Sequence, residues 1–145
     1  MKYAISKCLL GYNCKYDGKN NLREILKDLE KNNEVILIFP EVLGGLPIPR
    51  IPFELQNDRA INKEGLDITD KVIEGCNKAL KLIIDNNVDL VILKENSPTC
   101  GVNYIYDGTF THTKISGEGL LTRMLKERNI KVISDIDFIN NYSAK

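Results

Sequence analysis

The sequence predicts an α/β protein: a compact, three-layer, Rossmann-like domain with a mainly parallel sheet and one small hairpin. Three observations carry this expectation. Short β-branched runs alternate with helix-length amphipathic stretches. The runs at 35–39 and 89–93 are apolar throughout, as strands covered on both faces are. Each of these runs, like the first one at 2–6, opens into a loop bearing cysteine or proline, at the strand ends where open α/β sheets gather ligands.

Taken in order, residues 2–6 read as the first strand, and the glycine- and asparagine-punctuated stretch 8–18 as the loop that leaves it. Asn20 or Asn21 is the expected N-cap of a helix. Leu22, Ile25, Leu26 and Leu29 recur at helical spacing behind it, with Glu24 in the first turn and an end near Asn33. The strand at 35–39 stops at Pro40. Four of the five prolines and the Gly44-Gly45 pair fall within 40–52, which excludes regular structure there and leaves a rigid, site-shaping loop. Thr69 is the expected cap of a long helix whose apolar stripe is Val72, Ile73, Cys76, Ala79, Leu80, Ile83 and Ile84. The strand at 89–93 runs directly into Lys94-Glu95-Asn96-Ser97-Pro98-Thr99-Cys100-Gly101. Residues 104–111 have the alternation and the Asp107-Gly108 turn of a hairpin. Leu120, Leu121, Met124 and Leu125 mark a helix exposed on one side, residues 130–134 a last strand, and the tail is expected to be peripheral. No repeat or low-complexity linker interrupts the chain, so 1–145 is expected to form a single domain.

Twenty basic and twenty acidic residues cancel, which removes the broad positive field that nonspecific nucleic-acid binding needs; no stable nucleic-acid binding is expected. No apolar run is long enough to span a bilayer, and the first residues are too soon interrupted by charge for a secretory core. The expected location is the cytoplasm. In a reducing compartment, four cysteines point to metal ligation, catalysis or burial rather than to disulfides.

Cys8 and Cys14 share one glycine-containing loop and Cys100 lies in another; the loops starting near Cys8, Pro40 and Lys94 are expected to converge, so three thiolates can share a centre. Soft thiolates select zinc, copper(I) or iron–sulfur clusters, and a cluster held by three of them leaves one iron open as a Lewis acid. Cys76 lies on the apolar helical stripe, where core filling accounts for it. A tetrahedral zinc site would show paired C-x-x-C or histidine ligands, whereas the one histidine, His112, reads as a solvated residue of a threonine-rich turn. A cysteine phosphatase would need an arginine near the position of Cys14. Glu41, following Pro40 at a strand end, is a candidate acid or base. Ser97 and Asp17 are similarly placed, with cap and turn roles as their alternatives. Arg50 either orients an anionic or carbonyl-bearing ligand or braces its loop, and Lys94 and Asn96 complete the expected substrate-binding set.

Cys8-Leu9-Leu10-Gly11 with Tyr16-Asp17-Gly18, Pro40-Glu41-Val42-Leu43-Gly44-Gly45-Leu46-Pro47 with Pro49-Arg50, Glu95-Asn96-Ser97-Pro98 with Cys100-Gly101, and Tyr106-Asp107-Gly108-Thr109-Phe110 together resemble the thiouracil desulfidase family, in the same order over nearly the whole chain. The resemblance implies an α/β domain with an oxygen-sensitive 4Fe–4S cluster held by three cysteines. The fourth iron would take the sulfur of a small thiolated base such as 2-thiouracil, and water would replace that sulfur without net redox change. It further implies cluster positions for Cys8 and Cys100, and proton-transfer or water-positioning roles for Glu41 and Ser97. Relatives carry a cysteine just before the Pro-Glu pair, where this chain has Phe39, so Cys14 is the expected third ligand and Cys76 the fallback. The rival expectation is a non-catalytic iron–sulfur or sulfide-carrier module that acts with a partner in RNA thiolation or dethiolation.

Overall fold

The computed structural model describes residues 1–143, in which eight strands and five helices follow one another as β1 (Lys2–Ser6), α1 (Glu24–Asn32), β2 (Glu34–Ile38), α2 (Pro40–Leu43), β3 (Phe53–Gln56), β4 (Arg59–Asn62), α3 (Thr69–Asp85), β5 (Leu90–Leu93), β6 (Tyr104–Tyr106), β7 (Lys114–Ser116), α4 (Leu120–Glu127), β8 (Val132–Ser134) and α5 (Asp135–Ser143). A single 3-10 turn, Lys7–Leu10, follows β1. The main sheet is wholly parallel, in the order β2-β1-β5-β8. The chain first steps from β1 to β2 and then crosses to β5 on the other side of β1. The switch point is therefore the gap between the carboxyl ends of β1 and β5, where such sheets bind ligands.

Strand periodicity sorts the core into two faces. Ala4, Ile38, Val91 and Leu93 meet Val72, Cys76, Ala79, Leu80 and Ile83 of α3 and Leu120, Leu121 and Leu125 of α4. Ile5 and Ile92 point the other way, onto Leu9, Leu10 and Leu26, with Leu29 and Phe138 packed against them. The expected α/β class and parallel sheet are thus borne out, with two antiparallel hairpins beside the sheet.

Several local expectations are corrected. Helix α1 starts at Glu24 rather than behind Asn20 or Asn21, because those asparagines serve the preceding loop: Asn20 Oδ1 accepts the Leu22 amide (3.0 Å), while the Asn21 amide bonds Cys8 O (2.9 Å). Thr69 is the first residue of α3, not its cap; its hydroxyl accepts the Ala60 amide (2.8 Å), and Asp67 accepts the Thr69 amide (2.9 Å). The proline-rich loop contains α2, a helical turn made possible by Pro40 at its first position, where no backbone donor is needed. The hairpin β3–β4 was not foreseen. It turns on Asn57 and Asp58, both with left-handed φ (49° and 63°), the signature of a two-residue primed turn. The foreseen hairpin does not turn at Asp107-Gly108: β6 pairs with β7, and 107–113 form a longer connecting loop. The tail is not peripheral. Helix α5 opens on Asp135, fully buried, which accepts the Glu95 amide (2.9 Å) and pairs with Arg23 (3.2 Å). Among the described residues no helix is long and apolar enough to cross a membrane.

Candidate active site

A cavity of about 520 Å³ opens at the carboxyl end of the sheet, floored by Ser6 at the end of β1 and by the loop that leaves β5. Its volume is in the range of small-molecule sites. Cys8, Cys14 and Cys100 all line it, as do Glu41, Arg50, Lys94, Asn96 and Ser97. Cys76 does not: it is fully buried on α3, within the apolar core.

Each thiol is held by a different device. Cys8 sits in the 3-10 turn directly after β1, and its Sγ accepts from Asn21 Nδ2 (3.5 Å). Cys14 lies on the returning loop, whose backbone is tied down by Arg50 Nη1 at Cys14 O (3.4 Å) and by the Arg50 amide at Tyr16 O (2.6 Å). Cys100 is fixed from two sides: its amide donates to Ser97 Oγ (3.1 Å), and its carbonyl accepts from Thr122 Oγ1 of α4 (3.1 Å). The first amides of α4, at Leu120 and Leu121, meanwhile bond the carbonyls of Pro98 and Thr99. Helix α4 thereby finds partners for its free N-terminal donors and clamps the Cys100 loop in the same step.

The thiols titrate unequally. The Cys14 thiol donates to Cys8, which lowers the Cys8 pKa below the ordinary thiol value and raises that of Cys14. Burial pushes Cys100 and Cys76 well up. Glu41 is close enough to disfavour the thiolate at all four. Among the described residues no three His, Cys, Asp or Glu side chains converge as ligands of a single metal ion. Three thiols around one wide cavity make instead the soft donor set that suits a multinuclear iron–sulfur cluster.

Glu41, only 9% exposed, projects from the first turn of α2, which is seated on α3 through two glycines: a Cβ at Gly44 or Gly75 would collide with the backbone of Lys71 or Pro40. Ser97 Oγ accepts from the Thr99 and Cys100 amides (both 3.1 Å), so its own O–H is left to donate into the cavity. Lys94 bridges the switch point through its amide to Ser6 Oγ (3.0 Å) and its ammonium to Glu95 O (3.0 Å). Asn96 adopts a left-handed φ of 70° and bridges to Ile105. The Nε of Arg50 is buried without a partner among the described residues, an orphaned donor beside the cavity.

Asp17 is a correction: it is outside the cavity lining, and its Oδ1 accepts the Lys19 amide (2.9 Å), so it shapes a turn. Two groups take places at the site that the sequence reading did not assign to them. Glu95, 3% exposed, accepts the amides of Val102 (2.7 Å), Asn103 (3.0 Å) and Tyr104 (3.1 Å) and the Asn103 side chain (2.8 Å). Although burial opposes ionisation, these donors hold its carboxyl below the usual carboxylate range. His112, expected in a solvated turn, is exposed but lines the cavity and packs edge-on to Tyr106 at 6.0 Å.

Known proteins match this chain over nearly all of its length. The family model for 2-thiouracil desulfurase matches residues 4–137. The uncharacterized protein YbbK of Bacillus subtilis (strain 168) is 36% identical over a 141-residue alignment, and the match covers 90% of this chain and 93% of YbbK. A solved structure described as the 4Fe-4S-dependent thiouracil desulfidase TudS is 35% identical and superposes with a TM-score of 0.91, over 99% of this chain and 96% of that one. The resemblance read from the motifs is borne out, and with a match that leaves only a few terminal residues aside, this chain belongs to the 2-thiouracil desulfurase family.

Proposed function

We propose that this protein is a 4Fe–4S-dependent desulfidase that converts a thiolated base of the 2-thiouracil kind to its oxo form and releases sulfide. The observation that carries the reading is the convergence of Cys8, Cys14 and Cys100 with Glu41 and Ser97 on one cavity, from loops far apart in sequence. Cys8, Cys14 and Cys100 are the three residues that would hold the cluster, while Cys76 belongs to the apolar core. When bound by three cysteines, such a cluster supplies one iron without a protein ligand, a Lewis acid for the thiocarbonyl sulfur.

The remaining chemistry falls to the chain. Glu41 is the one carboxylate at the cavity without a described structural hydrogen bond; Glu54 and Glu95 are both committed to backbone amides. It is therefore the base that takes a proton from the attacking water and returns it to the leaving sulfur. Ser97 donates its O–H to the ring atom on which charge develops, its oxygen being fixed by two amides. Arg50, through its unpaired Nε, together with Asn96 and Lys94, presents donors to the carbonyl and ring-nitrogen edge of the base. Residues 1–145 act as one domain in this reading, and four free cysteines suit the reducing cytoplasm.

The test is anaerobic reconstitution followed by a sulfide-release assay on a panel of thiolated bases, with Glu41→Gln alongside. A brown protein with iron and acid-labile sulfide that liberates sulfide, and loses most of that activity in Glu41→Gln, supports the reading. A protein that stays colourless after reconstitution sinks it. Cluster binding without turnover of any free base favours a sulfide carrier instead.

A further inference from the structure

We propose that Phe110 is a substrate-binding residue whose ring stacks on the face of the thiolated base, presented by a loop that Glu54 holds in place. The proposal rests on the desulfidase reading and adds a binding role that the family motifs do not assign.

Six aromatic side chains line the cavity: Tyr16, Phe39, Phe53, Tyr106, Phe110 and His112. Five are already engaged. Phe53 is buried in the main core. Ammonium groups lie over two rings, Lys7 at 5.5 Å from the Phe39 centroid and Lys15 at 5.9 Å from Tyr16. Tyr106 and His112 pack edge to face on each other. Among the described aromatic residues of the cavity, Phe110 alone has no ring or cation against it and no place in either core cluster, although it is partly buried at the cavity wall.

The backbone explains why that ring is there. Phe110 has a left-handed φ of 58°, a conformation that a bulky side chain adopts only where its surroundings impose it. They do so through Glu54, on β3 and 8% exposed, whose Oε1 accepts both the Gly108 amide (2.9 Å) and the Phe110 amide (3.2 Å). Gln56 Nε2 adds a bond to Gly108 O (2.8 Å), and Gly108 itself, at φ 93°, has no room for a Cβ beside Leu55 O. Asp107, Thr109, Thr111 and Thr113 brace the outer edge through hydroxyl bonds of 2.6 to 2.8 Å. The loop is a built wall. An unpartnered π face in a cavity of otherwise committed aromatics suits a flat heteroaromatic ring, which every stacking platform for bases exploits.

The experiment uses reconstituted holoprotein, steady-state sulfide release from 2-thiouracil, and inhibition by uracil and by 5,6-dihydrouracil. The two inhibitors share their hydrogen-bonding edge, but only uracil is a flat conjugated ring. Wild type is expected to bind uracil more tightly than dihydrouracil. Phe110→Ala is expected to raise KM and weaken uracil about tenfold, with kcat changed by no more than about twofold, and to erase the preference between inhibitors. Phe110→Tyr retains both properties, and Phe110→Leu, which keeps apolar bulk and guards against loss of folding, loses the preference. Unchanged KM in Phe110→Ala, a fall in kcat alone, or wild-type behaviour of Phe110→Leu overturns the proposal. Calorimetric titration of uracil separates the two readings. Uracil binding that depends on Phe110 in a protein that releases no sulfide overturns the desulfidase alone, and normal turnover with affinity independent of Phe110 overturns the stacking role alone.

Discussion

Gly75 of α3 and Pro40 of α2 meet backbone to backbone: a Cβ at Gly75 would overlap the Pro40 carbonyl oxygen. The contact sets how deeply α2 seats on α3, and α2 carries Glu41 into the cavity. Gly75→Ala therefore cannot be absorbed without moving α2. We expect overpacking to cost about 1–3 kcal/mol of stability and displacement of Glu41 to lower kcat by up to about a hundredfold. Iron content should be retained, since no cysteine is on α2. Thermal melts, iron analysis and turnover on one preparation check all three, and wild-type kcat in a folded Gly75→Ala would dissociate α2 from the chemistry.

The cysteines are predicted to divide three to one. Cys8→Ala, Cys14→Ala and Cys100→Ala should each fail to retain a full complement of iron and labile sulfide after anaerobic reconstitution. Cys76→Ala should retain both and lose only about 1 kcal/mol, the order expected for removing one buried atom from the core. Iron and sulfide quantification with the visible spectrum reads this directly. Loss of the cluster in Cys76→Ala would transfer the third-ligand role from Cys14.

Glu95 knots the loop between Lys94 and Cys100 to the strand β6 that follows. Glu95→Ala leaves the amides of Val102, Asn103 and Tyr104 without their acceptor, for a predicted destabilisation of about 3–5 kcal/mol. Glu95→Gln keeps one carbonyl acceptor but turns a donor toward the Asn103 amide group, so it should fall between. The pH dependence has a definite sign. Its folded-state pKa is depressed, so its contribution is fully present above the unfolded carboxylate value of roughly 4.3 and fades as pH falls through the lower folded value. Urea midpoints measured from pH 6 down to pH 3 should decline in wild type more steeply than in Glu95→Gln; parallel curves would dissolve the assignment.

Asp135 ties α5 to the site. Fully buried, it joins Arg23 to the Glu95 amide, and truncating it leaves both partners wanting. For Asp135→Ala we predict about 3 kcal/mol of lost stability, less than for a wholly buried pair because Arg23 is partly solvated. Turnover should fall with it, since the Glu95 loop bears Ser97 and Cys100. Chemical denaturation and sulfide release check this, and an unchanged midpoint would return the tail to the periphery.

The sequence by itself determined the sheet and its two faces, because buried parallel strands leave continuous apolar runs and amphipathic helices leave a 3.6-residue stripe, both local signals. It also determined Cys8, Cys100, Glu41 and Ser97 as candidates, because strand-end loops of an open α/β sheet must converge. What only the tertiary structure decided is which neighbours each group has. The loop and the helical stripe already set Cys14 apart from Cys76, but only packing brings Cys14 to the same cavity as Cys8 and Cys100 and closes Cys76 off in the core. Asp17 and Glu95 are both loop carboxylates; one closes a local turn, and the other gathers amides from residues seven to nine positions away. Phe110 became legible only through Glu54, 56 residues earlier on a hairpin that no periodicity announced. The opening contact has the same origin: a helix-interior glycine looks like a defect in a one-dimensional pattern, and its reason is a carbonyl oxygen of Pro40, 35 positions away in the chain, that leaves no space for a Cβ.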